Sequence, residues 1–195
     1  MSRPHNTQRN SKPILEREYK ILKSYINGLE TFETTKVKWM RSLELLYMSG
    51  MRVSEILDIT IEDIIDGIKK GELSVFVKKQ KIIRHIPLSK NSINILKRLI
   101  KNVSDIDSLY IHKRSNSKSK INPIGFTKDF NNFIQNILGK EYSTHSFRKG
   151  LITQMSVNGI NPKITQTFIG HRNVTTTLNY YKPTAAADVR NCLVR

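Results

Sequence analysis

The last third of the chain holds the residues whose types and spacing bear on chemistry. Thr144-His145-Ser146-Phe147-Arg148 is followed by Gly170-His171 and then by Tyr180. Attack on a phosphodiester needs a nucleophile, donors for the non-bridging oxygens and an acid for the leaving alkoxide. An arginine fork is permanently charged and grips two oxygens at once. A lysine can give up a proton when its pKa is lowered. A tyrosine can take the phosphoryl group and hold it as an ester, conserving the bond energy for rejoining. Upstream, Arg52 and Lys79 complete such a set. The groups on hand fit a reaction that cuts DNA through a protein hydroxyl and reseals it. Neither ATP nor a metal cofactor is expected, and no acidic cluster of the two-metal kind is evident in the sequence.

Charge agrees with that partner. Thirty-three Lys and Arg against sixteen Asp and Glu leave a net charge of +17 over 195 residues. Such an excess favours a polyanion, with nucleic acid the leading candidate. No stretch reaches the roughly 18 apolar residues of a membrane span. The single cysteine, Cys192, cannot form an intrachain disulfide or a cysteine zinc cluster. The first residues lack the apolar run of a secretory signal. A cytoplasmic, DNA-associated location is expected.

The elements that must position these residues follow from periodicity. Helical spacing joins Leu15, Tyr19, Leu22 and Ile26, with Asn27-Gly28 as the stop. A second helix is predicted from Thr34 to Ser49, broken at Gly50, and a short amphipathic turn carries Ser54 to Leu57. Strands are predicted at 73–77 and 82–88, joined by the cationic link Lys78-Lys79-Gln80-Lys81. Ser89 is placed to cap a helix over Ile93, Leu96 and Leu99. Further helices are predicted at 123–138, 144–157, 162–169 and 185–193, with Pro162 in the first turn of its helix. The expected fold class is mainly α with one small antiparallel β hairpin. Three parts are expected: a basic N-terminal arm over 1–12, a catalytic domain over 13–182 and a C-terminal segment over 183–195.

In this order the residues resemble the tyrosine recombinase (phage integrase) family. Gly50-Met51-Arg52-Val53-Ser54-Glu55-Ile56-Leu57 resembles its first-arginine motif. Lys79, seven residues before Ile86-Pro87-Leu88, sits where the family has its hairpin lysine. Thr144 to Arg148 resembles the His-x-x-Arg motif. Ile169-Gly170-His171 resembles the Leu-Gly-His segment, with Tyr180 nine residues on. The likeness spans roughly residues 36–182, and six positions in the correct order carry it.

The resemblance implies the recombinase catalytic fold and site-specific integration, excision or inversion through a 3′-phosphotyrosyl intermediate. It implies that Arg52 and Arg148 clamp the phosphate, that Lys79 protonates the leaving 5′-oxygen, and that His145 assists proton transfer. His171 would bond the phosphate, Tyr180 would attack, and Glu55 would support the site. Four protomers would assemble on DNA, and residues 183–195 would be exchanged between neighbours.

Each position also has a plainer reading. Arg52 alone would pair with Glu55 at a helix end. Lys78 and Lys81 compete with Lys79. Tyr181 stands beside Tyr180, with helical phase turning the two about 100° apart. Lys78, Lys81, Lys113, Arg114, Lys118 and Lys120 are candidates for DNA contact. The sequence departs from the family pattern in three ways. Only about 35 residues precede the catalytic pattern, as in the short members that invert fimbrial promoter segments. Lys149-Gly150 replaces the usual His-Thr, and the hairpin link lacks glycine. The competing functions are a non-catalytic DNA-binding regulator or accessory protein of the same fold, and a type IB topoisomerase.

Overall fold

The computed structural model describes residues 11–78, 81–101, 110–112 and 121–181. The fold is helical around one hairpin. It runs α1 (Glu16–Asn27), α2 (Glu33–Ser49), α3 (Val53–Asp58), α4 (Ile61–Lys70), β1 (Glu72–Val77), β2 (Ile82–Pro87), α5 (Lys90–Lys101), α6 (Pro123–Leu138), α7 (Thr144–Val157), α8 (Pro162–Ile169) and α9 (Val174–Leu178). The expected loop at 113–120 and the expected helix at 185–193 lie outside the described residues. Among the described residues no helix is long and apolar enough to cross a membrane.

The helix ends are written locally. Asn122, Asn161 and Asn173 each accept a hydrogen bond on Oδ1 from the backbone N–H two residues ahead, and so cap α6, α8 and α9. Pro123 and Pro162 follow at the first helical position, where a missing N–H costs nothing. Ser89 caps α5, its Oγ accepting from the Ser92 N–H at 3.1 Å.

Two helices were not expected. In α4, Thr60 Oγ1 accepts from the Asp63 N–H at 3.0 Å while the Asp63 carboxylate accepts from the Thr60 N–H at 2.9 Å. This capping box, with Ile61, Ile64, Ile65 and Ile68 at helical spacing, is a legible signal. The other, α9, is only five residues long, too short for periodicity to announce.

The strands pair antiparallel, with Val75 opposite Arg84 and Val77 opposite Ile82. Alternation buries Leu73, Val75 and Val77 on β1, and Arg84 and Ile86 on β2. An arginine therefore occupies a core position. The hairpin link has no glycine, and Lys81 takes the left-handed conformation instead, at φ 55°.

The core runs from Leu22 and Ile26 through Leu43, Leu46, Ile56 and Leu57 to Phe130 and Phe147, all buried. Trp39 packs on Phe133 at 4.0 Å between ring centroids. Behind α7 runs the extended segment 11–15. Its Ile14 is buried and donates its N–H to the Ser146 carbonyl at 2.9 Å, while the Lys12 N–H bonds the Glu141 carbonyl at 3.0 Å. Lys12 also pairs with the Glu141 carboxylate. The segment can lie this close because residue 150 is glycine: a Cβ there would stand 1.9 Å from the Ile14 carbonyl oxygen. The departure from the family pattern at Lys149-Gly150 thus seats the N-terminal segment against the helix that carries His145 and Arg148.

Gly150→Ala is therefore expected to cost about 1–3 kcal/mol, because backbone rather than a flexible side chain must move. Urea unfolding of the variant against the parent measures it; an unchanged midpoint would mean that the segment does not pack as described.

Candidate active site

Arg52 owes its position to the end of α2. Gly50 closes that helix in the left-handed conformation, at φ 58°, a turn that suits glycine. Two residues on, Arg52 caps α3. Its N–H bonds the Glu55 carboxylate at 2.9 Å, and its Nη1 donates to the same carboxylate at 2.6 Å. Glu55 is buried, so one acidic group fixes both the backbone and the guanidinium of Arg52. The plain reading of an Arg52–Glu55 pair is realised, and it orients Arg52 without hiding it.

Arg148 stands on α7, one turn after His145. It is buried. Its Nη1 donates to the Gly50 carbonyl at 3.2 Å, its Nη2 to the Ile169 carbonyl, and its Nε to His171 Nε2 at 3.4 Å. Arg148 thus ties together the ends of α2 and α8. His171 follows Gly170, which closes α8 in the left-handed conformation. Gln166 Nε2 donates to the His171 carbonyl at 3.1 Å. A guanidinium N–H can only donate, so His171 Nε2 is the lone-pair nitrogen. The ring proton then belongs on Nδ1, which lies 2.9 Å from Thr177 Oγ1.

A third arginine enters unannounced. Arg84 reaches inward from β2, with only 3% of its surface exposed. Its Nη2 lies 3.4 Å from the Glu55 carboxylate, and its Nη1 donates to the Ile169 carbonyl at 3.0 Å. Period-two alternation puts Arg84 in line with Ile86, and that was the signal for it in the sequence.

Electrostatics follow from the crowding. Glu55 pairs with Arg52 and Arg84, and its charge also reaches Arg148, so these four residues carry 3 − 1 = +2. Burial, reinforced by Arg52 and Arg84, lowers the Arg148 pKa to about 9, which leaves it charged at neutral pH. Burial and then the Arg148, Arg52 and Arg84 charges lower His171 to about 4. His145 is also lowered, by burial first and then by Arg148 and Arg52. Both imidazoles are neutral at pH 7. The net positive charge awaits an anion.

The two tyrosines differ. The Tyr181 hydroxyl donates to the Ile160 carbonyl at 2.6 Å and also meets Thr165 Oγ1 at 2.6 Å. The Tyr180 hydroxyl has no hydrogen-bond partner among the described residues, and Tyr180 is close enough to Arg148 to perturb it electrostatically. Lys149 Nζ, bonded to the Ser11 carbonyl, lies 5.9 Å from the Tyr180 ring centroid.

Of the remaining site residues expected from the sequence, Lys79, Lys113, Arg114, Lys118 and Lys120 lie outside the described residues. Lys78 is paired with Asp58 at 2.6 Å, and Lys81 is exposed at the hairpin link. Two open depressions meet at Arg52. A cleft of about 1130 Å³ lies between Ile82, His171 and Arg172. A groove of about 640 Å³ runs beside His145 along the Lys128, Asn131 and Gln135 face of α6.

This fold and this cluster define a class. Residues 15–187 match the model of the phage integrase family, and the chain belongs to that family. Among curated proteins it is 33% identical to tyrosine recombinase XerA of Pyrococcus horikoshii over 143 residues, 73% of this chain and 49% of that protein. It is 30% identical to XerA of Pyrococcus furiosus over 176 residues, covering 89% and 58%. The chain thus spans about half the length of the curated relatives it matches. Among solved structures, the Tn1549 transposon integrase in complex with transposon right end DNA superposes with a TM-score of 0.76 at 19% identity, covering 99% of this chain and 67% of that one. The likeness establishes the tyrosine recombinase catalytic-domain fold expected from the motifs.

The depressed histidines make stability depend on pH. His112 is buried beside Ser42, 3.0 Å from its Oγ, and burial first and the Arg41 charge second lower its pKa to about 3. With His171 at about 4, the folded chain takes up fewer protons than the unfolded chain below the ordinary histidine value of 6.5. The stabilisation is whole above 6.5 and is lost as pH falls from there toward 4 and then 3. Urea unfolding through this window is expected to show that slope, and His112→Gln is expected to flatten it.

Proposed function

We propose that the chain is the catalytic part of a site-specific DNA recombinase that cuts and rejoins strands through a 3′-phosphotyrosyl bond. One observation carries the reading. Arg52 and Arg84 meet at one carboxylate, Arg84 and Arg148 meet at one carbonyl, and Arg148 feels the charge of Tyr180, whose hydroxyl has no partner among the described residues; the open cleft reaches this cluster through Arg52. A DNA phosphate supplies the missing negative charge.

In this mechanism Arg52 and Arg148 bond the non-bridging oxygens of the scissile phosphate. The Tyr180 oxygen attacks phosphorus while the bond from phosphorus to the 5′-oxygen breaks. The tyrosine proton passes, directly or through water, to His145, whose lowered pKa leaves it neutral at pH 7 and able to accept it. Lys79, from the hairpin, protonates the leaving 5′-oxygen. The 5′-hydroxyl of a partner strand then attacks the phosphotyrosine and regenerates Tyr180. Each step exchanges one phosphoester for another, so no external energy source enters.

His171 must change its hydrogen bond in this scheme. Its Nε2 accepts from Arg148 in the DNA-free chain and so offers no proton to a phosphate. An arriving phosphate draws the Arg148 Nε–H toward itself, and its negative charge raises the His171 pKa. Nε2 can then carry a proton and donate.

Double-stranded DNA is the partner, held mainly through phosphates by Lys and Arg and released by salt. Lys81, together with Lys113, Arg114, Lys118 and Lys120, contributes to that field. Two exchanges join two duplexes, which calls for four protomers, with residues 183–195 as the exchanged segment. The chain works where the cell's DNA is, in the cytoplasm.

The test uses a nicked, labelled duplex selected from random sequence by binding to this chain. Denaturation should leave a labelled protein–DNA adduct. Tyr180→Phe should abolish the adduct and retain DNA binding. Tyr181→Phe should keep it while lowering stability by about 1 kcal/mol, since buried Thr165 and the exposed Ile160 carbonyl lose their hydroxyl partner. Loss of the adduct in Tyr181→Phe alone would move the nucleophile by one residue. Relaxation of plasmids without a selected site would identify a topoisomerase, and binding without any adduct a regulator or accessory protein.

A further inference from the structure

We propose that Arg84 is a positioning residue for strand cleavage, holding the two halves of the phosphate clamp in register. The inference rests on the recombinase reading and assigns to Arg84 a part no motif gives it. Two acceptors organise the cluster. The Glu55 carboxylate receives Arg52 and Arg84. The Ile169 carbonyl receives Arg84 and Arg148. Arg84 alone touches both. Through it the first-arginine helix α3 is joined to the end of α8, from which His171 follows within two residues. The joint also fixes the inner face of β2, and with it the base of the hairpin whose link holds Lys79.

Arg84 does not act on the phosphate itself. It is buried, and its hydrogen bonds run to Glu55 and to the carbonyls of Phe168 and Ile169. Nor is stability a sufficient reason for it. Its Nε is buried without a hydrogen-bond partner, and its inward neighbours on the hairpin are Leu73, Val75, Val77 and Ile86. Burying an ion in such a place costs several kcal/mol per ion, and well-packed apolar replacements of buried pairs are often neutral or stabilising. A group this expensive is explained by what it connects. Lysine cannot substitute for it, because one nitrogen reaches the carboxylate or the carbonyls and not both.

The experiment compares Arg84→Met and Arg84→Lys with the parent on the nicked duplex described above. Thermal melting, DNA affinity, the adduct-forming rate at saturating DNA and the NMR titration of the His171 imidazole are followed together. Because Glu55 keeps its bond to Arg52 and the cluster loses a surplus positive charge, Arg84→Met is expected to melt near the parent and to bind DNA as the parent does. Its adduct should form about 10²-fold more slowly, the scale of a small misplacement of reacting groups. His171 should titrate at higher pH in that variant, because a nearby positive charge is gone. Arg84→Lys should keep the parental His171 titration and still react slowly, since the charge remains and the span is lost.

Parental rates in either variant, with parental adducts forming normally, would overturn the proposal. So would a loss confined to DNA affinity. If Arg84→Met does not fold, Arg84→Lys decides by the same rate comparison. If the parent itself forms no adduct, the recombinase reading fails instead. The coupling of Arg84 to the site is then judged by the His171 titration in the DNA-free protein, where an unmoved value in a folded Arg84→Met would overturn it.

Discussion

Mutual repulsion among three guanidinium groups, held in check by one carboxylate and one carbonyl, is the constraint around which the molecule is arranged. Left to themselves Arg52, Arg84 and Arg148 would separate and hydrate. They are held together because each is tied to something that cannot move: the start of α3 through Glu55, the inner face of the hairpin, and the ends of α2 and α8 through Gly50 and Ile169. The apolar core beneath them, from Leu22 to Phe147, supplies the free energy that keeps this unfavourable gathering in place. What remains is a site already shaped and charged for a phosphate before one arrives. Such preorganisation is how an enzyme avoids rearranging itself at the moment of reaction.

Burial first and the crowded positive charge second keep the neighbouring imidazoles neutral, and His171 accordingly accepts from Arg148 rather than donating outward. In the proposed reaction a phosphate would fill the charge deficit and let His171 Nε2 carry a proton, coupling binding to activation through electrostatics.

Helix boundaries were largely legible in the sequence, because asparagine caps, first-turn prolines and the left-handed glycines act within a few residues. Both strands and their antiparallel pairing were legible for the same reason, through alternation and a short link. The helix α4 carried a readable capping box and isoleucine spacing. The helix α9 did not, since five residues are too few for periodicity. Of the site, the order of Arg52, His145, Arg148, His171 and Tyr180 could be read along the chain, and the fold sets Arg148 against His171 and within electrostatic reach of Arg52, His145 and Tyr180. Arg84 escaped notice because a single arginine in a strand looks like an exposed charge until the inward register is known. Tyr180 and Tyr181 were equivalent on paper except for spacing; the hydroxyl that packs, that of Tyr181, is identified by Thr165 and Ile160, sixteen and twenty-one residues away.

The linear chain by itself determined the types of reactive group, their order, the positive charge and the local starts and stops of the helices, because each depends on composition or on neighbours within a turn. Only the tertiary structure decided which arginines are buried, which nitrogen of His171 bears the proton, that the Tyr181 hydroxyl is bonded and why residue 150 must be glycine. Those outcomes rest on contacts between segments distant along the chain, where burial and the sum of nearby charges, rather than any local preference, set the energy.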